Sequence, residues 1–198
     1  MGDAHGDRTE ADEARPPIAW GPEYTDVLEM MGTPLERPGV DPVLARMVGE
    51  WDVDGRWQVR TDRPALSMGG RMVNRWILDG RFLESDTFPT ATASEPSSKV
   101  IYGADRRSED YFAFAVNALH QQYDIEHGPH DPAADSLLLR GVEIVLPSRR
   151  EIRFLRTIRF VGPDELQLSI TYPEESDEDR LGGLTMSLRR RSEGSSDG

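Results

Sequence analysis

The chain has 198 residues, no cysteine and a formal net charge of −13. This length fits one domain with short tails, and the charge argues against partners that present a broad phosphate surface, namely nucleic acid and anionic membranes. The lack of cysteine excludes disulfides, thiolate zinc sites and a cysteine nucleophile. No apolar run reaches the roughly 18 residues that span a bilayer, and residues 1–15 lack the apolar stretch of a secretory signal, so we expect a cytoplasmic protein.

The negative charge is concentrated in two segments. Nine acidic residues and two arginines give residues 1–36 a net charge of −7, and residues 173–188 carry −4. Residues 37–172 carry only −3. We therefore predict an acidic, largely disordered N-terminal arm over 1–36, a folded domain over 37–191 and a disordered tail over 192–198.

Two short helices are predicted before the first strand. Residues 23–31 are one candidate, which Gly32 would end. The second begins at Asp41, a residue type that caps helix N-termini well, and has Pro42 at its first position. Gly49 ends it.

The rest of the chain has the period-two alternation of β-strands, beginning with residues 51–60. Asp79-Gly80 separates the strand-like runs 68–78 and 81–88 and predicts a type I′ hairpin in which Trp76 opposes Leu83. Further strands are predicted at residues 99–102, 111–118, 121–127, 136–141, 151–161, 165–172 and 184–190. These strands indicate an all-β antiparallel meander that closes into a barrel of about eight to ten strands, with a short helix before the first.

Two sequence segments resemble a known family. The chain reads Val48-Gly-Glu-Trp51 after the second helix and Trp76-Ile-Leu-Asp-Gly-Arg-Phe-Leu83 in the hairpin. These residues resemble the DUF1579 family of small bacterial proteins over residues 40–190, and the Gly-x-Trp start resembles the wider calycin group of lipocalins, fatty-acid-binding proteins and nitrobindin-like barrels. The resemblance implies a calycin-like barrel in which Trp51 closes the base and Arg189 or Arg190 packs on it. It implies an interior pocket but no reaction, because the family is one of unknown function.

Alternation decides which side chains we expect in the barrel interior. On the hairpin, the face with Asn74 and Trp76 carries fewer charges than the face with Arg75 and Glu84, so we predict the first face inside and the charged pair on the surface. A few hydrogen-bonding groups among apolar side chains are typical of small-molecule sites. The predicted ligand-binding residues are Trp57, Asn74, Trp76, Tyr102, Phe114, Tyr123, His127, Arg156 and Tyr172.

Arg156 is the most informative single residue, because it lies on the apolar face of its predicted strand between Phe154 and Ile158. An unpaired buried charge is very costly. Either the guanidinium binds an anionic or carbonyl group of a ligand, or it pairs with a loop carboxylate or reaches water at a barrel end.

The histidines carry no metal or cofactor prediction. His120, His127 and His130 lie close together in the sequence, and the last two with Asp131 have a spacing that could hold a metal. Solvated turn histidines are the commoner case, so we predict no metal site. A haem ligand aimed into the cavity is not expected either, since no histidine lies on the last three strands. The acidic run 174–179 lacks the ligand spacing of a calcium loop.

We predict that the barrel binds a small apolar or amphipathic molecule. One alternative is an isomerase- or cyclase-type enzyme of a biosynthetic pathway that uses the same cavity. The other is an interaction module with a filled barrel, in which the acidic arm folds against a partner or a second copy to give a homodimer. A second titratable group beside Arg156 would favour the enzyme, isolated polar groups would favour binding, and an exposed apolar patch would favour the interaction module.

Overall fold

The computed structural model of the chain describes residues 40–105, 107–118, 122–145, 149–173 and 181–192, with the backbone alone for Val145. These residues all belong to one compact unit, residues 40–198. Several predicted features lie outside the described residues: the arm over 1–36, the helix over 23–31, His120, the acidic run 174–179 and the tail after residue 192.

The described residues contain one short helix and eleven strands. Helix α1 spans Pro42–Ala45, and no helix in this part of the chain is long and apolar enough to cross a membrane. The strands are β1 (Gly49–Trp57), β2 (Leu66–Ile77), β3 (Phe82–Phe88), β4 (Ser98–Asp105), β5 (Asp110–Asn117), β6 (Tyr123–Gly128), β7 (His130–Asp131), β8 (Ser136–Val145), β9 (Arg150–Gly162), β10 (Glu165–Thr171) and β11 (Leu184–Arg190).

Ten of these strands form a closed antiparallel barrel. The hydrogen-bonded order is β6-β5-β4-β3-β2-β1-β11-β10-β9-β8, and β6 pairs with β8 to complete the circle. The two-residue strand β7 pairs only with the start of β8. The predicted all-β meander barrel with a short helix before the first strand is therefore confirmed.

The hairpin between β2 and β3 has the predicted register. Trp76 pairs with Leu83 and Asn74 pairs with Ser85. Asp79 and Gly80 have φ angles of 60° and 79°, which are the left-handed values that a type I′ turn requires at both central positions.

Helix α1 and Trp51 close one end of the barrel, here called the base. Asp41 caps the helix, because its carboxylate accepts the backbone N–H groups of the next turn at 3.0 and 2.8 Å. The Trp51 indole N–H donates to the Met47 carbonyl at 2.8 Å, and the Arg190 guanidinium lies 4.2 Å from the centroid of the Trp51 ring. Of the two predicted arginines, Arg190 therefore packs on the closing tryptophan.

The core fills the barrel from the base upward. Trp51, Leu83, Leu137, Leu139 and Ile158 are each at most 1% exposed. Small inward residues such as Ala113 and Ala115 on β5 are also buried. The buried core therefore combines large and small side chains, as is usual in a narrow barrel.

Candidate functional site

The hairpin face with Asn74 lies inside the barrel. Asn74 and Ser85 are 2% and 1% exposed, whereas Arg75 is exposed. The Asn74 amide donates to the Met47 carbonyl at 2.7 Å, so it ties the hairpin to the end of the helix. Trp76 is half-buried and packs against the same core.

The predicted surface pair Arg75–Glu84 belongs to a larger cluster on the outer face of β2, β3 and β4. Arg75 contacts Glu84 and lies 3.1 Å from Asp86, and Lys99 contacts both carboxylates. Asp86 is only 4% exposed because these neighbours cover it. The two positive and two negative charges balance one another. Because the four residues belong to β2, β3 and β4, their ion pairs link these three strands.

Arg156 forms a buried ion pair with Glu126 of β6. Its Nε lies 3.0 and 2.7 Å from the two carboxylate oxygens and its Nη2 lies 2.7 Å from Oε1. The two residues are 8% and 0% exposed. Burial lowers the pKa of Arg156, but the charge of Glu126 and its hydrogen bonds outweigh burial and hold the pKa above the usual value, so the guanidinium stays charged.

Tyr102 completes this buried group. It is 2% exposed, and desolvation raises the pKa of its hydroxyl although Arg156 beside it acts in the opposite direction. The phenol therefore stays neutral next to a satisfied ion pair. Of the two possibilities left open for Arg156, pairing with a carboxylate is the one observed, and the carboxylate comes from a strand rather than from a loop.

The sequence reasoning missed Glu126 because it assigned the wrong face of β6 to the interior. Tyr123 and Ile125 are 64% and 51% exposed, and His127 is exposed as well. Tyr123 and His127, which were predicted to bind a ligand in the barrel, lie on its outer face, whereas Glu126 on the opposite face pairs with Arg156 inside. Phe114 also lies outside, 37% exposed, with its ring 5.8 Å from that of Tyr123.

A second polar contact lies toward the barrel end opposite the base. The Tyr172 hydroxyl donates to Glu143 Oε2 at 2.7 Å, and its ring lies 6.4 Å from that of Phe154. Burial, the hydrogen bond to Glu143 and the nearby Asp124 charge all raise the pKa of Tyr172. Tyr172 is therefore a hydrogen-bond donor at neutral pH. The remaining predicted residue, Trp57, is half-buried at the end of β1.

Among the described residues, no group of three or more His, Asp or Glu side chains could hold a metal ion. His130 instead packs edge-on between the rings of Tyr111 and Phe160, at 6.5 and 6.4 Å.

β6 and β8 close the barrel with little direct pairing, and we call this part of the barrel wall the seam. The two strands pair only at His127↔Arg140. Toward the end opposite the base, a cleft of about 1060 Å³ lies between them. Its lining combines residues of both barrel faces: Tyr123, Ile125, Arg140, Val142 and Ile144 from the outside, and Asp124, Gly141 and Phe154 from the inside.

The outer edge of this cleft carries exposed apolar side chains. Tyr123 and Ile125 on β6 face Val142 and Ile144 on β8, and the last two are both 47% exposed. We call these four residues the rim. Contiguous exposed apolar residues at a cavity are typical of a binding surface rather than of ordinary protein surface.

Comparison with known proteins identifies a family and a solved structure of similar fold. A family described as "Protein of unknown function (DUF1579)" matches residues 41–190. The crystal structure of Rv2717c from M. tuberculosis matches with a TM-score of 0.53 at 18% identity, covering 77% of this chain and 99% of that one. A redesigned β-barrel matches with a TM-score of 0.33 at 12% identity, covering 76% and 96% of the two chains. No curated protein matches. The similarity to Rv2717c shows a shared fold.

Proposed function

This chain belongs to the DUF1579 family, and we propose that its barrel binds a small, largely apolar molecule in the cleft between β6 and β8. The observation that carries the proposal is the cleft itself, about 1060 Å³ in volume, with apolar side chains beside a few polar ones. Small-molecule sites have this size and this composition.

The cleft is a better candidate than the centre of the barrel. Tyr102, Glu126 and Arg156 form a buried group inside the barrel, and none of them is more than 8% exposed. A ligand there would have to displace a satisfied ion pair, which costs several kcal/mol. The seam offers an entry that leaves the pair intact.

Binding is preferred to catalysis because the titratable groups beside Arg156 are already engaged. Glu126 accepts three bonds from the guanidinium, and Tyr172 donates to Glu143. A general acid or base must reach the substrate directly or through one water. The exposed rim also suits an interaction module, and the experiment below distinguishes the two.

The test is a titration with N-phenyl-1-naphthylamine, an uncharged apolar dye whose fluorescence rises on leaving water. We expect saturable binding of one dye per chain. Val142→Ser should weaken it about fivefold, the equivalent of roughly 1 kcal/mol of lost apolar contact. Val161→Ser is the matched control. Val161 is also 47% exposed, but it lies at the end of β9 that is away from the cleft. Equal effects of both variants, or binding without saturation, would contradict the proposal, and dye binding replaced by self-association would favour the interaction module.

A further inference from the structure

β6 and β8 are joined at one end of the seam only. Their single antiparallel pair is His127 with Arg140, at the end nearer the base. The same register, continued along the seam, would pair the four rim residues with one another, Ile125 with Val142 and Tyr123 with Ile144. Within the described part of the chain neither of these pairs forms, and the cleft lies between the two strands at this level.

The neighbouring ladders show where the backbone groups of the rim residues point. In an antiparallel pair, the N–H and C=O of one residue point to the same side, and successive residues alternate. The Ala118 N–H donates to the Ser97 carbonyl, and the Phe160 N–H donates to the Asp135 carbonyl. These bonds fix the alternation for β4–β5 and for β8–β9. Followed through the registers of β4 to β6 and of β8 with β9, the alternation directs the backbone groups of all four rim residues into the seam.

A ligand in the cleft therefore meets the rim residues in two ways. Their side chains are apolar and exposed on the outer face of the barrel, and each of their backbones presents one N–H and one C=O to the cleft. A wholly apolar ligand that filled the cleft would exclude water from these backbone groups and leave them unpaired, which is unfavourable. A ligand with amide groups of its own avoids this penalty.

We infer that the ligand is a short peptide, bound in extended conformation as an added strand between β6 and β8. This inference rests on the proposed function and names the class of ligand. An extended peptide carries N–H and C=O groups at the spacing of the two strand edges, and its side chains alternate between the two faces. Every second side chain therefore lies on the outer face, among the rim side chains. Because β6 and β8 are antiparallel, the added strand is parallel to one of them and antiparallel to the other.

The length of the open seam sets the length of the peptide. From the pair of His127 with Arg140 to the far rim residues Tyr123 and Ile144, each strand runs for four residues. At a rise of about 3.3 Å per residue this is ~13 Å, which an extended peptide of about five residues spans. The cleft of about 1060 Å³ is at the upper end of the size range of small-molecule sites.

The probe is a pentapeptide of alternating threonine and valine, acetylated and amidated at its ends so that it carries no charge. Calorimetry with the full chain measures its affinity, and displacement of N-phenyl-1-naphthylamine shows whether it occupies the same cleft. The matched control is the same peptide with both valines N-methylated. N-methylation adds apolar surface but removes N–H donors, so we expect binding at least about tenfold weaker, whereas purely apolar binding would be as tight or tighter.

Hydrogen exchange measured by NMR locates the bound peptide. The amide N–H groups of Ile125 and Val142 should exchange at least about tenfold more slowly with the peptide bound than with the dye bound, because each then donates to the peptide backbone.

A pair of variants at one position separates the backbone from the side chain. Ile125→Pro removes an N–H that takes no part in the ladder with β5, and should weaken peptide binding at least about fivefold more than Ile125→Ala does. Ile125→Ala is the matched control, because it shortens the same side chain and keeps the N–H. Both variants should change the dye affinity to a similar extent.

The outcomes separate the inference from the proposed function. Equal or tighter binding of the N-methylated peptide, binding of the dye but not of the peptide, or unchanged exchange at Ile125 and Val142 overturns the added strand and leaves apolar binding in the cleft intact. Failure of both the dye and the peptide to bind overturns the inference together with the proposed function. The comparison of the two peptides uses the unaltered chain, so it decides the inference even if Ile125→Pro does not fold.

Discussion

Arg156 and Glu126 remain charged in the barrel interior because each satisfies the hydrogen-bonding groups of the other. They lie 30 positions apart in the sequence and are joined by three hydrogen bonds of 2.7 to 3.0 Å. If β6 were turned over, Tyr123 and Ile125 would fill the interior and Arg156 would be buried without a partner. The cost of an unpaired buried charge is larger than the gain from burying two apolar side chains, so the ion pair decides the orientation of the strand.

Breaking this pair should be strongly destabilising. Arg156→Met leaves the Glu126 carboxylate buried and unpaired, and we expect a loss of about 3–5 kcal/mol in the free energy of unfolding. The double variant Arg156→Met with Glu126→Leu should lose less than either single variant, because no charge remains to be desolvated. Urea unfolding measures the two single variants and the double variant.

The control is Arg60→Met, which removes the exposed ion pair with Asp62 and should cost under about 1 kcal/mol. Additive losses in the double variant would show that Arg156 and Glu126 are not energetically coupled.

The environment of Tyr111 leads us to predict that the stability of the barrel decreases at alkaline pH. Its hydroxyl lies 3.2 Å from Oδ2 of the helix cap Asp41, and burial together with the Asp41 charge raises its pKa from 10.0 to about 12. Because the folded-state pKa is above the unfolded one, this contribution to stability is complete below pH 10 and is lost as the pH rises toward 12. We expect Tyr111→Phe to lose less stability than the parent chain between these pH values. Equal slopes of unfolding free energy against pH would contradict this assignment.

At the scale of the elements, the strands follow local patterns and the closure does not. The β2–β3 hairpin forms where Asp-Gly supplies the turn, and helix α1 begins where Asp41 and Pro42 supply the cap and first position. The two-residue strand β7 has no sequence signature, since a period cannot be seen in two residues. The pairing of β6 with β8 also has no sequence signature, because the two strands are not consecutive.

Gly128 marks the place where β6 and β8 come together. A Cβ atom there would lie 1.9 Å from the Leu138 carbonyl oxygen, whereas a Cβ at Gly162 would meet nothing within 4 Å. We therefore expect Gly128→Ala to destabilise the barrel by about 1–3 kcal/mol, as overpacking does, and to widen the seam. Gly162→Ala should stay within about 0.5 kcal/mol of the parent chain.

The measurement is urea unfolding of both glycine variants, together with hydrogen exchange of β6. Faster exchange in β6 of the Gly128 variant is expected. Equal stability of the two variants would mean that the seam strands can separate without cost.

At the scale of the whole molecule, the −13 charge does not describe the barrel. Residues 37–172, which include nine of the ten barrel strands, carry only −3. Within the described part of the chain, the core residues fall between Leu44 and Leu188. The predicted division into an acidic arm and a folded domain over 37–191 implies that the barrel folds without the acidic segment.

Residues 40–198 produced alone should fold as the full chain does. We expect the midpoint of thermal unfolding to change by less than about 3 °C, which corresponds to under about 1 kcal/mol for a domain of this size. Calorimetry of both chains measures the difference. A drop of more than about 10 °C would show that the first 39 residues stabilise the barrel, and the domain prediction would need to be revised.

Local sequence patterns are enough to predict the strands, the hairpin register and the helix cap, because each depends on neighbouring residues: a period of two, a turn dipeptide, a capping carboxylate. Which face of β6 is inside, which carboxylate pairs with Arg156 and where a cleft opens in the wall became clear only from the packing of distant strands. Alternation defines two faces of a strand but does not say which one is buried when a charged residue of a distant strand needs a partner. For that reason, Glu126 and the seam were not predictable, whereas the family resemblance implied that Arg189 or Arg190 packs on Trp51 and the structure decided for Arg190.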